Sequence, residues 1–369
     1  RDLIVTGVQT CALPISHDDS SPDRQIEGGV VMRAIEVTRP GELRIVEREV
    51  PPAPQSGHVL VRVRAMGICG SDIHILHGQN PFASYPRVIG HEAAGEVIAV
   101  APDVTTLSPG DRVVVDPVIF CGECPACRIG RRNVCSNLRV RGVHTDGMAR
   151  EQLLLPVSSL HVFRKDIPFE TAVLCEPFTI AAETLWRGRV TGDDTMLLFG
   201  AGPIGQVILQ GALRLGTRVL VADIIPERLA LAKCMGASDV FDSSAGDIRE
   251  WVRSATGGVG PSVTVDAVGR ADIFEQSVEM AAPAGRIVVL GFGPEPSRIA
   301  ERSITARELD VLGSRLHNGK FPEALGWIER GEVNPRALVS HVFPMEEAAG
   351  AITMIERSPK ETCKVILTF

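Results

Sequence analysis

The chain of 369 residues reads as an α/β protein of two domains, one of them a doubly wound parallel sheet. Its length exceeds what one hydrophobic core usually supports. The stretch 195–237 runs strand, glycine turn, helix, strand, helix, which is the pattern of parallel α/β units. Residues 32–184, ahead of it, read as β-rich and hold most of the cysteine and histidine.

Composition narrows the function classes. Hydrophobic residues make up 44% and charged residues 22%, with 36 glycines and 25 prolines, as in a turn-rich globular enzyme. A formal charge of -7 excludes the basic stripe that a nucleic-acid surface needs. No apolar run reaches the length of a membrane span, so the expected partners are small molecules rather than nucleic acid or membrane. The nine cysteines, Cys11, Cys69, Cys121, Cys124, Cys127, Cys135, Cys175, Cys234 and Cys363, are odd in number and unevenly spread, which is not a disulfide framework.

Residues 1–31 precede the first methionine, Met32, which opens the strand-like run "MRAIEV". The run "VTGVQTCALPI" resembles the translation of a sequencing-library adapter oligonucleotide, and a secretory signal is the alternative. Residues 1–31, Cys11 among them, are therefore expected to be a non-native leader without function.

The parallel-sheet half carries a dinucleotide fingerprint. Apolar Met196–Phe199 feeds Gly200, Gly202 and Gly205 in G-x-G-x-x-G, with Pro203 and Ile204 opening a helix expected over 204–215. The first glycine makes the tight turn, the second admits a pyrophosphate, and the third lets helix and strand approach. Phosphate then meets free N–H groups at a helix N-terminus. The next strand ends in Asp223, 18 residues after Gly205, where a carboxylate accepts ribose hydroxyls and repels a 2′-phosphate, so the cofactor expected is NAD. Arg228 follows as a lid residue or a phosphate partner, and Val268, Gly291 and Phe292, near the ends of later strands where such sheets bind ligands, are further expected cofactor contacts. This is the Rossmann arrangement.

The β-rich half supplies metal-ligand chemistry. Cys69, His91 and Glu92 offer thiolate, imidazole and carboxylate, a set that suits zinc, and Glu176 stands at a helix start in "CEP". Further on, "CGECPACRIGRRNVC" holds four cysteines in fifteen residues, compatible with a metal lobe, an iron–sulfur cluster or a redox dithiol.

Taken together, these motifs resemble the zinc-containing medium-chain alcohol and polyol dehydrogenases over essentially all of residues 32–369. The resemblance implies a GroES-like catalytic domain beside the Rossmann domain, and a catalytic zinc held by Cys69, His91 and one or both of Glu92 and Glu176. It assigns Asp72 to orienting His91, and Ser71 and His74 to a proton relay that passes through the cofactor ribose to solvent. The spacing of Cys121, Cys124, Cys127 and Cys135 matches the family's structural zinc, a closed site of four thiolates whose charge Arg128, Arg131 and Arg132 would offset. A homodimer or homotetramer is implied, and reduced thiols with NAD point to the cytoplasm.

"HGQNPFASYPRVIGHE", "GVHTDG", "EPFTIAAE" and "GSRLHNGKFPEALGWI" are most similar to the branch of a starvation-sensing dehydrogenase and the L-gulonate and L-galactonate 5-dehydrogenases. The expected reaction is oxidation of a sugar acid to a keto acid, L-gulonate to D-fructuronate or L-galactonate to D-tagaturonate. Sorbitol-like polyols, L-threonine and a noncatalytic NAD- or sugar-acid-binding sensor are the alternatives. A carboxylate needs cationic or donor-rich surroundings, and the candidates are His144, Arg315, Asn318 and Lys320. Met148 and Gln152 stand where glycine and tyrosine are common in that branch, which alters the expected inner wall of the pocket. The expected layout is a catalytic domain over 32–184, a cofactor domain over 185–321, and a return to the catalytic domain over 322–369.

Overall fold

The computed structural model describes residues 24–26 and 29–369. The strand expected at Met32 starts at Gly29, and residues Arg24–Ile26 pair antiparallel with its first turn of chain. Those six residues of the expected leader are thus strand; the rest of it, including Cys11, lies outside the described residues.

Gly29–Arg39 pairs with Glu42–Glu49 and with Arg87–Val88 in a four-stranded sheet. A seven-stranded sheet runs in the order Leu160–Val162, Arg112–Val115, Glu92–Val100, His58–Gly67, Lys364–Thr368, Val339–Pro344, with Gln152–Pro156 also on His58–Gly67. The last strand of the chain therefore returns beside the first half, with Ile366 opposite Gly67. This return positions Lys364 against the metal ligands described below.

The six-stranded sheet is parallel throughout, in the order Asp239–Asp242, Arg218–Asp223, Thr195–Phe199, Val263–Asp266, Arg286–Val289, Asp310–Gly313. Its central strand, Thr195–Phe199, is buried at four of five positions because helices cover both faces. The strand order reverses beside it, and ligands bind such sheets at that switch point. The helix expected over 204–215 spans Pro203–Arg214, starting on a proline that gives up an N–H no helix could use there.

The helix Phe321–Glu329 shares a core with Cys175–Arg187 through Trp327, Ala324, Leu325, Phe178, Ala181 and Leu185. That core also takes in Met196, Leu198 and Val265 from the parallel sheet and Ile366 from the last strand. One continuous apolar cluster thus fixes the two sheets relative to each other. None of the described helices is long and apolar enough to cross a membrane.

Candidate active site and metal centres

Cys69 precedes the helix Gly70–Leu76, and its backbone fixes the pocket. The Cys69 N–H and the Gly90 N–H donate to opposite oxygens of Asp72, each at 2.9 Å. One fully buried carboxylate thereby ties the start of this helix to the residue before His91. His91 Nδ1 lies 3.7 Å from Asp72 Oδ1, which leaves Nε2 for a metal. Ligand atoms of Cys69, His91 and Glu92 lie within 4.8 Å of one another. Glycine at 67 is required by this arrangement, since a Cβ there would stand 2.2 Å from Glu92 Oε2.

The residues fit a zinc ion. Glu92 Oε2, on the side away from Lys364, is buried without a hydrogen-bond partner. Burial opposes a charged His91, yet the Cys69 thiolate and Asp72 overcome it and raise its pKa, the response of an anionic pocket drawing a cation. For Asp72, burial is likewise overcome, by His91 and the two backbone N–H groups, and its pKa is lowered. Thiolate, imidazole and carboxylate are the donors of catalytic zinc sites.

Lys364 was not legible as a site residue. Its ammonium pairs with Glu92 Oε1, with side-chain exposures of 4% and 1%. Burial works against the ammonium, and Glu92, Cys69 and Glu176 together raise its pKa nonetheless. Cys69, Asp72 and Glu92 carry three negative charges when ionised; Lys364 offsets one and a divalent cation offsets the other two. Lys364→Met should destabilise the fold by about 3–5 kcal/mol, the loss expected when one partner of a buried pair is removed, and Lys364→Arg should retain most of that. The urea midpoint reads it; a Met variant that melts like wild type contradicts a structural role for the pair.

Glu176 begins the helix Cys175–Arg187 and lies outside the cluster of three ligand atoms. Burial, then the Glu92 charge, pushes its pKa up to about 7. His317, also missed, is buried with Nε2 3.3 Å from Asp116 Oδ1, an ion-pair contact rather than an aligned hydrogen bond. It sits edge-on to Phe321 at 5.0 Å, which explains its burial in a stretch read for its charges. Ser71 Oγ is 3.4 Å from His91 Nε2, and His74 follows one helical turn later on the exposed side.

The four cysteines of 121–135 converge, with thiol atoms within 4.8 Å of one another and no disulfide. Cys135 Sγ lies 3.4 Å from Cys121 Sγ and 3.9 Å from Cys124 Sγ. Zinc–sulfur bonds of about 2.3 Å in a tetrahedron set sulfurs about 3.8 Å apart, so these thiols fit a zinc ion. Backbone N–H groups of Ser136 and Cys127 draw Cys124 down to about 5, whereas burial pushes Cys127 up to about 12. The arginines expected to offset the sulfur charge also make contacts of their own. Arg131 lies over Trp186 at 5.4 Å, Arg132 over Phe120 at 4.8 Å, and Arg128 is exposed.

In the parallel-sheet half, a Cβ at Gly205 would meet Gly200 O at 1.9 Å, so only glycine lets this helix approach the strand. Asp223 accepts from the N–H groups of Ala201, Ile224 and Ile225 at 2.6, 2.7 and 2.9 Å, which fixes its carboxylate under the turn. Arg228 reaches back over that turn, its Nη1 3.7 Å from where a Gly202 Cβ would stand, with Nε buried and unpartnered. Val268, Phe292 and Ile224, the last unforeseen, expose apolar side chains at the carboxyl ends of their strands. Gly291 packs against Gly269, with no room for a Cβ.

The four substrate candidates divide. His144 and Arg315 come together around Phe82, with His144 stacked on its ring at 5.5 Å and the Arg315 guanidinium 5.6 Å away. Val140 N–H donates to His144 Nδ1 at 3.1 Å, so Nε2 bears the proton. Burial, then the charges of Arg315, Arg87 and Arg139, lowers the pKa of His144. Asn318 instead bonds the cysteine lobe, accepting from Arg132 N–H at 3.0 Å, and its own N–H donates to Glu183 at 3.3 Å. Lys320 pairs with Glu323 at 2.8 Å and rests over Trp186. In both residues the polar group already has a protein partner, which ties it to a neighbouring element. Met148 is buried in the core with Val61 and Leu153, and Gln152 lies on a strand opposite Arg62, so Met148 presents no side chain to a pocket wall.

Comparison with known proteins places these features in one lineage. A family model described as Alcohol dehydrogenase GroES-like domain matches residues 55–165, and one described as Zinc-binding dehydrogenase matches 203–330. Starvation-sensing protein RspB of Escherichia coli K12 is 43% identical over 341 residues, covering 92% of this chain and 99% of that protein. L-galactonate-5-dehydrogenase of the same strain is 31% identical over 342 residues, again covering 92% and 99%. The crystal structure of an RspB from Escherichia coli CFT073, complexed with NADH, superposes with a TM-score of 0.87 at 42% identity, covering 92% and 99%.

Proposed function

The chain belongs to the zinc-binding alcohol dehydrogenases with a GroES-like domain, oxidoreductases acting on CH–OH groups, and from that premise we propose that it oxidises a secondary hydroxyl of a sugar acid with NAD. L-gulonate, giving D-fructuronate, is the leading substrate, and L-galactonate, giving D-tagaturonate, stands beside it. The observation that carries the reading is Arg315, a guanidinium without any carboxylate partner among the described residues, beside the His144 donor. The L-galactonate-5-dehydrogenase relative supports the same substrate class.

Cys69, His91 and Glu92 would hold the catalytic zinc, with Glu176, which feels the Glu92 charge, being the further carboxylate that could exchange for Glu92 or join it. Zinc there supplies Lewis acidity, which lowers the pKa of a bound hydroxyl and polarises a ketone in reverse. NAD supplies the hydride acceptor, and Asp223 beside the glycine turn favours it over NADP. Asp72 would orient His91 by its negative charge beside Nδ1, and Lys364 holds one oxygen of Glu92 so that the other stays free. Ser71 would take up the hydroxyl proton as it hands on its own, by way of the cofactor ribose, to His74, which is exposed on the same helix and releases a proton to solvent. Cys121, Cys124, Cys127 and Cys135 would hold the structural zinc. Free thiols at all eight described cysteines suit a reducing, cytoplasmic setting, and the proposed assembly is a homodimer or homotetramer.

Arg315→Ala tests the substrate assignment. A lost charge-assisted contact of about 1.5–3 kcal/mol lowers kcat/KM roughly 10- to 150-fold for L-gulonate, with sorbitol turnover nearly unchanged. Equal losses for both substrates reject carboxylate recognition by this residue.

A further inference from the structure

Phe82 and Phe292 are exposed by 44% and 71%, unusual for large rings that belong to no apolar cluster. They approach each other from different sheets: Phe292 follows the parallel strand Arg286–Val289, and Phe82 precedes Arg87–Val88 of the four-stranded sheet. Their centroids stand 6.2 Å apart with the rings tilted 60°, and the Arg315 guanidinium carbon lies 5.6 Å from one and 5.5 Å from the other. The guanidinium therefore rests against two aromatic rings, while no hydrogen bond or ion pair engages its nitrogens among the described residues.

We propose that Phe82 and Phe292 are positioning residues for Arg315, a two-ring cradle that holds the guanidinium with its N–H edge open to a substrate carboxylate. This rests on the sugar-acid reading above. An arginine held only by solvent would lose much side-chain entropy on binding an anion. Contact with ring faces restrains it beforehand by a cation–π attraction that leaves the N–H donors unspent. Because one ring comes from each sheet, the cradle is complete only when the two halves of the cleft stand as they do here. Acid recognition and cleft geometry are thus one property, and a neutral polyol does not use it.

The test uses the full chain loaded with zinc and saturated with NAD, in wild-type, Phe82→Leu, Phe82→Trp and Arg315→Ala forms. L-gulonate is compared with sorbitol, which carries a hydroxymethyl group in place of the carboxylate. Phe82→Leu should raise KM for L-gulonate about 3- to 30-fold, the span of one cation–π contact, with kcat within about twofold and the sorbitol KM unmoved. Phe82→Trp should restore the wild-type value. Calorimetric titration of L-gulonate into the zinc-loaded proteins with NAD omitted should give the same order of affinities. Equal changes for both substrates overturn the cradle. If Arg315→Ala alters the acid-to-polyol ratio and Phe82→Leu does not, the cradle alone fails. If neither alters it, or wild type ignores L-gulonate, the sugar-acid reading fails and the cradle with it.

Discussion

Cys69→Ala is expected to lower turnover on the order of 10³-fold or more, the several kcal/mol that a Lewis acid contributes to alkoxide formation, and to leave NAD binding measurable. The thiolate is the one soft donor in the cluster of Cys69, His91 and Glu92, and the remaining imidazole and carboxylate make a weak site. Metal analysis should find one zinc per chain fewer, with the cysteine lobe still occupied. The dinucleotide turn shares no residue with this pocket, so the titration with NAD should keep its wild-type midpoint. Normal turnover by a Cys69→Ala protein shown to lack the catalytic metal contradicts the assignment.

Cys135→Ala should produce the opposite pattern, a loss of structure before a loss of chemistry. Cys135 Sγ accepts the N–H groups of Cys121 and Asn137 at 3.3 Å each, so its loss removes a ligand and loosens the loop at both ends. Zinc bound by four thiolates contributes folding free energy directly. A loss of about 3 kcal/mol corresponds to a Tm decrease of roughly 4 °C in a chain of this size. The damage should reach the substrate end, because Asn133 of the lobe donates to the Arg315 carbonyl at 2.7 Å and Asn318 bonds the lobe at Gly130 and Arg132. A Cys135→Ala protein that keeps two zinc ions per chain and the wild-type Tm contradicts a structural metal in the lobe.

Local patterns made both candidate metal-ligand clusters and the glycine turn readable. The spacing from Cys121 to Cys135 and the step from Gly205 to Asp223 are short, so chain geometry alone brings those groups together. The inner parallel strands were readable for the same reason, Thr195–Phe199 and Val263–Asp266 being runs buried on both faces, whereas the edge strands Asp239–Asp242 and Asp310–Gly313 are half-buried or exposed and carry no apolar run. Lys364 was not readable, because a single lysine before "VILTF" resembles a solvated strand end, and its partner Glu92 is 272 residues away. Only the antiparallel pairing of the last strand with His58–Gly67 makes it a site residue. Asn318 and Lys320 were read without their neighbours for a related reason. Their residue types suit an anion, but the lobe and Glu323 take their polar atoms first. The contact of Arg315 with Phe82 and Phe292 joins two sheets, which no periodicity in one segment encodes.

The most direct measurement follows NADH formation by the full chain loaded with zinc, offered L-gulonate, L-galactonate, D-mannonate, sorbitol, xylitol and L-threonine, each with NAD and with NADP. The account predicts that a hexonate with NAD is turned over well ahead of every neutral polyol, of L-threonine and of any pairing with NADP. Turnover of only a neutral polyol or L-threonine would keep the zinc chemistry and contradict the sugar-acid assignment. No turnover with both zinc sites filled would contradict catalysis itself and leave a protein that binds NAD or a sugar acid as a sensor.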